Sequence, residues 1–378
     1  MHYFISAGEP SGDLHASHLI SALRRLDPQA RFTFLGGDMM AAAAGCEPVI
    51  HYRRMAYMGF SEVLRHLREI MGNLSVARKA LRASEADALI VVDLPSFNLK
   101  LAREAVKLGI PVYYYIAPKV WAWKEWRVKS LRKYVRKVLS ILPFEEEYFA
   151  SKGVDAVYVG NPSVEEVRAR LESLESQNDF RRRYGLSAKP LLALVPGSRR
   201  GEIRCNLPVM ASVAQRHPDM QAVVAGAPGM DPSIYSAITG LPVIDGATLE
   251  LMHYAEAALV TSGTATLECC LSGTPQVVCY RANGKRLSYN IMKHLIKTPY
   301  VSLPNLIAVR PVIPEMLVHL CTADSVDTEL RAILHGEPGR EKQLEGYRTV
   351  YGRLASQGAA ATAARVIVTD LNELKNKA

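Results

Sequence analysis

Long apolar runs are missing from this sequence. No uncharged stretch approaches the roughly 18 residues a membrane span needs, and Met1-His2-Tyr3-Phe4-Ile5 passes straight into strand-like sequence without a basic leader or cleavage site. A protein made and kept in the cytosol is the expectation. Cysteine is sparse too: Cys46, Cys205, Cys269, Cys270, Cys279 and Cys321 lack paired metal-ligand spacing, and Cys269 and Cys270 adjoin inside a helical pattern. Buried free thiols are expected, with neither a structural zinc nor a disulfide framework. Acidic residues are outnumbered, 37 against 46 basic ones, for a net charge of +9. This balance points to anionic partners: phosphates, nucleic acid or an acidic membrane surface. The excess sits in two stretches, with a net +7 from Lys119 to Lys137 and +5 from Arg281 to Lys297.

What is present is ample core material, with 49% hydrophobic residues in 378, enough for two or three domains. Short apolar runs alternate with amphipathic helical patterns, the signature of βαβ units on a parallel sheet. Strands are predicted at His2–Ser6, Phe32–Leu35, Ala88–Val92, Val112–Ile116, Val138–Leu142 and Ala156–Val159. The pattern restarts at Leu191–Val195, Gln221–Ala225, Pro242–Ile244, Ala258–Thr261 and Gln276–Tyr280, after a charged helix predicted over Val164–Tyr184. The expected fold class is α/β, two doubly wound Rossmann-like domains facing a cleft: residues 1–165, residues 186–340, and a helical tail at 341–378. In such sheets ligands sit at the carboxyl ends of the strands.

Several loops at those ends carry chemistry. Gly8-Glu9-Pro10-Ser11-Gly12-Asp13 follows the first strand, with Ser11 or Gly12 placed to cap the helix it opens. Its glycines fit neither the dinucleotide fingerprint nor a P-loop, so a plain turn and a ligand loop both stay open. Pro196-Gly197-Ser198-Arg199-Arg200 repeats that geometry and adds guanidinium groups suited to a diphosphate. Ser262-Gly263-Thr264 would aim N–H and O–H donors at a pyrophosphate, while Glu268, one turn on, could accept from a ribose diol. Asp93 ends an apolar strand, where a carboxylate could act as a turn residue or as a general base.

Two further features concern surfaces. All three tryptophans, Trp121, Trp123 and Trp126, precede the first basic stretch, where they could stack on bases, line a sugar site, meet a lipid headgroup layer or pack in a core. Phe60, Val63, Leu64, Leu67, Ile70, Met71 and Leu74 fall at helical spacing. At about 1.5 to 3 kcal/mol for each large apolar side chain, such a stripe must be covered, by a core or by lipid.

Seven motifs in order resemble the lipid-A-disaccharide synthase family: Gly8-Glu9-x-Ser11-Gly12-Asp13, Asp93-x-Pro95-x-Phe97-Asn98, Trp121-Ala122-Trp123, Leu142-Pro143-Phe144-Glu145, Pro196-Gly197-Ser198-Arg199, Ser262-Gly263-Thr264-Ala265-Thr266-Leu267-Glu268 and Ser302-Leu303-Pro304-Asn305. Departures fall at Pro10, Ala117, Lys119 and Val195. The resemblance implies a GT-B fold and an inverting, metal-independent and cofactor-free glycosyl transfer in Gram-negative lipid A biosynthesis. UDP-2,3-diacylglucosamine would donate its sugar to the 6-hydroxyl of 2,3-diacylglucosamine 1-phosphate, giving the β(1→6) disaccharide and UDP. It also implies Asp93 as the base, with Glu9 competing, Arg199 on the diphosphate, and Glu268 and Asn305 on the donor nucleotide. Acylated substrates imply peripheral contact with the anionic inner face of the inner membrane, through the 60–74 stripe and the basic stretches; a homodimer is one assembly this allows. The resemblance assigns no nucleic-acid partner. The rival readings are another UDP-sugar enzyme of the same fold, either a 2-epimerase or a glycosyltransferase with a soluble acceptor, and a non-enzymatic nucleotide-regulated module binding membrane or nucleic acid.

Overall fold

The computed structural model describes residues 1–55, 67–122, 124–281, 300–354 and 358–377. The chain forms two compact units, Met1–Pro162 with Ser356–Ala378, and Ser163–Ala355. The first is built on a seven-stranded sheet: β1 (His2–Ala7), β2 (Arg31–Gly36), β3 (Ile50–His51), β4 (Ala88–Val92), β5 (Val112–Tyr115), β6 (Lys137–Ser140) and β7 (Ala156–Tyr158). Its order is β3-β2-β1-β4-β5-β6-β7 with all neighbours parallel. Helices cover both faces, so the central strands read as unbroken apolar runs; β4 is buried at every residue.

The second unit repeats the winding. Its strands are β8 (Leu191–Val195), β9 (Gln221–Gly226), β10 (Val243–Asp245), β11 (Ala257–Val260), β12 (Gln276–Tyr280) and β13 (Glu315–Leu317), ordered β10-β9-β8-β11-β12-β13. The winding reverses between β1 and β4 in one sheet and between β8 and β11 in the other. Those are the switch points where open parallel sheets hold ligands.

Three expectations change on contact with the structure. The charged segment expected as one helix over Val164–Tyr184 is two, Pro162–Glu172 and Gln177–Arg183, because the Ser176 hydroxyl accepts from the Asp179 N–H and starts the second. The first helix begins at Pro10 with Glu9 at its N-cap, ahead of Ser11 and Gly12, since proline suits the first helical turn. The tail divides: Pro338–Leu354 packs within the second unit, while Ala359–Lys377 lies on the helix Pro10–Leu26 of the first. Among the described residues no helix is long and apolar enough to cross a membrane.

Candidate active site

The first unit's switch point is built by the loops after β1 and β4. Asp93 follows the buried strand β4, and both Asp93 (φ +46°) and Leu94 (φ +44°) are left-handed. With Ile116 and Lys124 they make four of the seven described non-glycine residues at positive φ, all beyond the carboxyl ends of β4 and β5. Such conformations cost free energy and persist where surroundings enforce them. Here the Asp93 carbonyl accepts from Asn98 Nδ2 at 2.7 Å and from Tyr114 Oη at 2.6 Å. Asn98 is buried and also accepts from Ser6 Oγ at 2.7 Å, fastening this turn to β1. Gly8 completes the contact: a Cβ there would collide with the Leu94 side chain. The glycine lets the Leu94 side chain lie against the first loop's backbone, and a larger residue would have to displace it.

The Asp93 carboxylate is half-buried. Burial pushes its pKa up, and the Leu94 N–H and the charges of Lys119, Arg127 and His15 only partly oppose this. A carboxylate held above its ordinary range is a better proton acceptor, as a general base requires. Of the rest of the first loop, Glu9 is half-buried, Ser11 exposed and Gly12 buried. Asp13, buried at 3% exposure, accepts from the N–H groups of Gly37, Met39 and Met40. It ties the next helix to this loop and is a structural residue that sequence reasoning did not distinguish.

Behind the site lies a buried carboxylate absent from the expected set. Glu145, 1% exposed, accepts from Trp121 Nε1 at 2.9 Å and Ser140 Oγ at 2.6 Å. Trp121 is therefore a core residue, edge-on to Phe144 at 5.0 Å between centroids. Trp126 is 65% exposed, and Trp123 lies outside the described residues. The signal for Glu145 was its place in the Leu142–Glu145 motif.

In the second unit, the loops after β8 and β11 flank the switch point. Gly197 (φ +108°) leads into Ser198 and Arg199, both exposed. Glu202 folds back to accept from the N–H groups of Ser198 (3.1 Å) and Arg199 (3.3 Å) and from Arg199 Nη1 (3.0 Å). After β11, Ser262, Gly263 and Thr264 open the helix Thr264–Leu271, with Gly263 and Thr264 exposed. Glu268, half-buried on that helix, lines a cavity of about 350 Å³ with Glu166, Arg170, Gly246, Thr248 and Glu250. Burial and the neighbouring Glu166 push the Glu268 carboxyl up, and Glu250 is ion-paired with Arg170. Carboxylates held here suit the hydroxyls of a ribose, while the loop one turn earlier offers N–H groups to an anion.

Asn305 stands differently. Buried at 1% exposure, it donates to the Ile313 carbonyl and Glu315 Oε1, both at 2.9 Å, and accepts from the N–H groups of Val312 and Ile313. Its hydrogen-bonding capacity is taken up by the chain. Glu315 also accepts from Ser302 N–H and Oγ, so the Ser302–Asn305 motif is braced from β13. Glu315 is a site-shaping residue for which sequence reasoning had no signal.

The apolar stripe is described only in part, because Phe60, Val63 and Leu64 and the side chain of Leu67 lie outside the described residues. Ile70 is half-buried, Met71 is 51% exposed, and Leu74 belongs to the first unit's core. Of the second basic stretch only Arg281 is described. Among the described residues no cluster of His, Cys, Asp and Glu could hold a metal ion.

A family model described as lipid-A-disaccharide synthetase matches residues 3–367. A lipid-A-disaccharide synthase of Myxococcus xanthus is 40% identical over 96% of each chain, and one of Anaeromyxobacter dehalogenans is 36% identical over the same shares. Among solved structures, UDP-GlcNAc 2-epimerase from Neisseria meningitidis has a TM-score of 0.66 at 12% identity, covering 99% of this chain and 100% of its own. A kitacinnamycin glycotransferase has 0.60 at 16%, covering 97% and 98%. At such identities the likeness is one of fold, and the fold is GT-B.

Proposed function

Because the chain belongs to the lipid-A-disaccharide synthetase family and is a glycosyltransferase of lipid A disaccharide synthesis, we propose that it transfers 2,3-diacylglucosamine from its UDP conjugate to the 6-hydroxyl of 2,3-diacylglucosamine 1-phosphate. The observation that carries the chemistry is the strained, doubly anchored turn that sets the half-buried Asp93 carboxylate at the ligand edge of the first sheet. Asp93 takes the acceptor's proton as its oxygen attacks the anomeric carbon. The bond from that carbon to the diphosphate breaks, and UDP leaves with the electron pair. A carboxylate is too weak a base to form free alkoxide, so proton transfer accompanies attack. Glu9, on the adjacent loop, is the competing base.

Negative charge grows on the departing diphosphate. Arg199 and the donors of Ser198, Ser262, Gly263 and Thr264 stabilise it, and Glu268 holds the ribose. For that role Glu202 must release the N–H groups it occupies. Asn305 supports this donor site by bracing the chain beside it. The enzyme works as a peripheral protein at the inner face of the inner membrane, where its acylated substrates reside; a dimer is compatible with this reading.

The test is a mass-spectrometric turnover assay in detergent micelles containing EDTA, with both acylated sugars and with Asp93→Asn alongside. The expected result is a tetraacyl disaccharide phosphate plus UDP from the wild type, with the rate reduced at least about a hundredfold in the variant. Near-normal turnover by Asp93→Asn would move the base to Glu9. Product from UDP-GlcNAc alone would instead favour the epimerase reading.

A further inference from the structure

Arg127 is a buried cation that feels the Asp93 charge through space but has no ion pair among the described residues. The residue is 8% exposed, its guanidinium donates one hydrogen bond among the described residues, from Nη2 to Ser96 Oγ at 2.9 Å, and it stacks 5.5 Å from the centroid of Trp126. No carboxylate comes within ion-pair distance of it among the described residues. A hydroxyl and an aromatic face offset only part of the cost of removing a guanidinium from water. Elsewhere this chain pairs its well-buried carboxylates with arginines: Glu104 with Arg82, Glu250 with Arg170 and Asp370 with Arg136. Arg127 lies at the ligand edge, because Ser96 is three residues beyond Asp93 on the same turn. Lys119, solvent-exposed just past the end of β5, is a second cation there; its ammonium feels the charges of both Asp93 and Glu145.

We propose that Arg127 and Lys119 form the binding site for the phosphate monoester of the acceptor sugar. The chemistry of that sugar fits. Its phosphate on C1 and its hydroxyl on C6 flank the same ring oxygen, so cations adjoining the base can hold one while the other meets Asp93. Arginine supplies the paired donors a phosphate accepts best, and a directly contacting anion arrives with the ligand. The proposal rests on the transfer reading above.

The experiment compares kcat/KM for the 1-phosphorylated and dephosphorylated diacylglucosamine acceptors in wild-type, Arg127→Gln, Arg127→Lys and Lys119→Ser proteins, with UDP affinity by calorimetry. In Arg127→Gln the KM for the phosphorylated acceptor should rise roughly tenfold to a hundredfold. Donor KM and UDP affinity should hold, and the preference for the phosphorylated acceptor should collapse. Arg127→Lys should restore part of it, and Lys119→Ser should weaken it less. Inorganic phosphate should compete with the acceptor in the wild type more strongly than in Lys119→Ser, an arm that stands even if Arg127→Gln does not fold. An unchanged preference in Arg127→Gln overturns the proposal. So does a rise confined to donor KM, which would assign the cations to the diphosphate, or a loss of phosphatidylglycerol-vesicle binding with preference intact, which would assign them to a lipid headgroup. Wild-type protein that turns over neither acceptor overturns the transfer reading instead; calorimetric phosphate binding, weakened in Lys119→Ser, then still decides the cation pair.

Discussion

The carboxyl group of Asp93 is pushed above its ordinary range chiefly by burial, so its ionised form is disfavoured in the fold relative to the unfolded chain. Its linkage therefore runs opposite to that of a salt-bridged aspartate. The stabilising contribution belongs to the protonated form, is complete below the ordinary aspartate pKa of about 3.9, and is lost as pH rises through the raised folded value. Asp93→Asn keeps a side chain that tolerates left-handed backbone and removes the charge. Its thermal midpoint should exceed the wild type's at pH 8, with the difference closing near pH 4, while turnover falls. The wild-type rate should have an acid limb centred above the ordinary carboxylate range. A variant less stable at pH 8 would mean that the charge is net stabilising and the site not strained. Asp93 was legible in the sequence because one polar residue closing a fully apolar strand marks the ligand edge. Asn305 and Trp121 were not, since their partners, Ile313 and Glu315 for one and Glu145 for the other, arrive only with the folded chain.

At the scale of elements, the long buried strands were readable for the same reason, and β4, β8 and β12 match their expected spans. The strands β3 and β13, two and three residues long at sheet edges, are too short to leave a pattern and exist through pairing alone. The C-terminal helix was readable as a helix but not in its docking. Ala363, Ala364, Ile367 and Leu371 are buried in the first unit's core, and Asp370 accepts from Arg136 Nε at 2.5 Å, Arg136 Nη2 at 2.8 Å and Tyr113 Oη at 2.5 Å. Burial works against ionisation of Asp370, but those hydrogen bonds outweigh it and hold the carboxyl below its usual range. Here the stability is present above about pH 3.9 and is lost as pH falls through the depressed folded value. Asp370→Asn should cost about 1 to 3 kcal/mol at pH 7. Denaturant titrations of both proteins should converge at strongly acid pH, and equal stability at pH 7 would show that the apolar face alone docks this helix.

For the whole molecule, composition gave the sign of the charge and the strand–helix alternation gave two units, but the division of the tail between them depends on side chains that meet only in space. Under the proposed peripheral reading, the positive excess has a consequence that can be measured. Lys124, Lys129, Arg132 and Lys133 are exposed on the first unit, as are Trp126 and Met71. Acyl chains gain about 0.8 kcal/mol per buried methylene in a bilayer, so the proposed acylated substrates would reside there and the proposed transfer would require the enzyme to reach them. Exposed cations facing anionic lipid attract over a Debye length of about 10 Å at 0.1 M salt and about 3 Å at 1 M, whereas apolar contacts do not weaken with salt. The protein should therefore sediment with phosphatidylglycerol vesicles at low ionic strength and be largely released near 1 M salt. Lys129→Glu with Lys133→Glu should shift release to lower salt, and Met71→Ser with Trp126→Ser should reduce the fraction that salt leaves bound. Binding that salt does not touch would make the contact apolar, and protein remaining in the supernatant at low salt would refute docking through these surfaces.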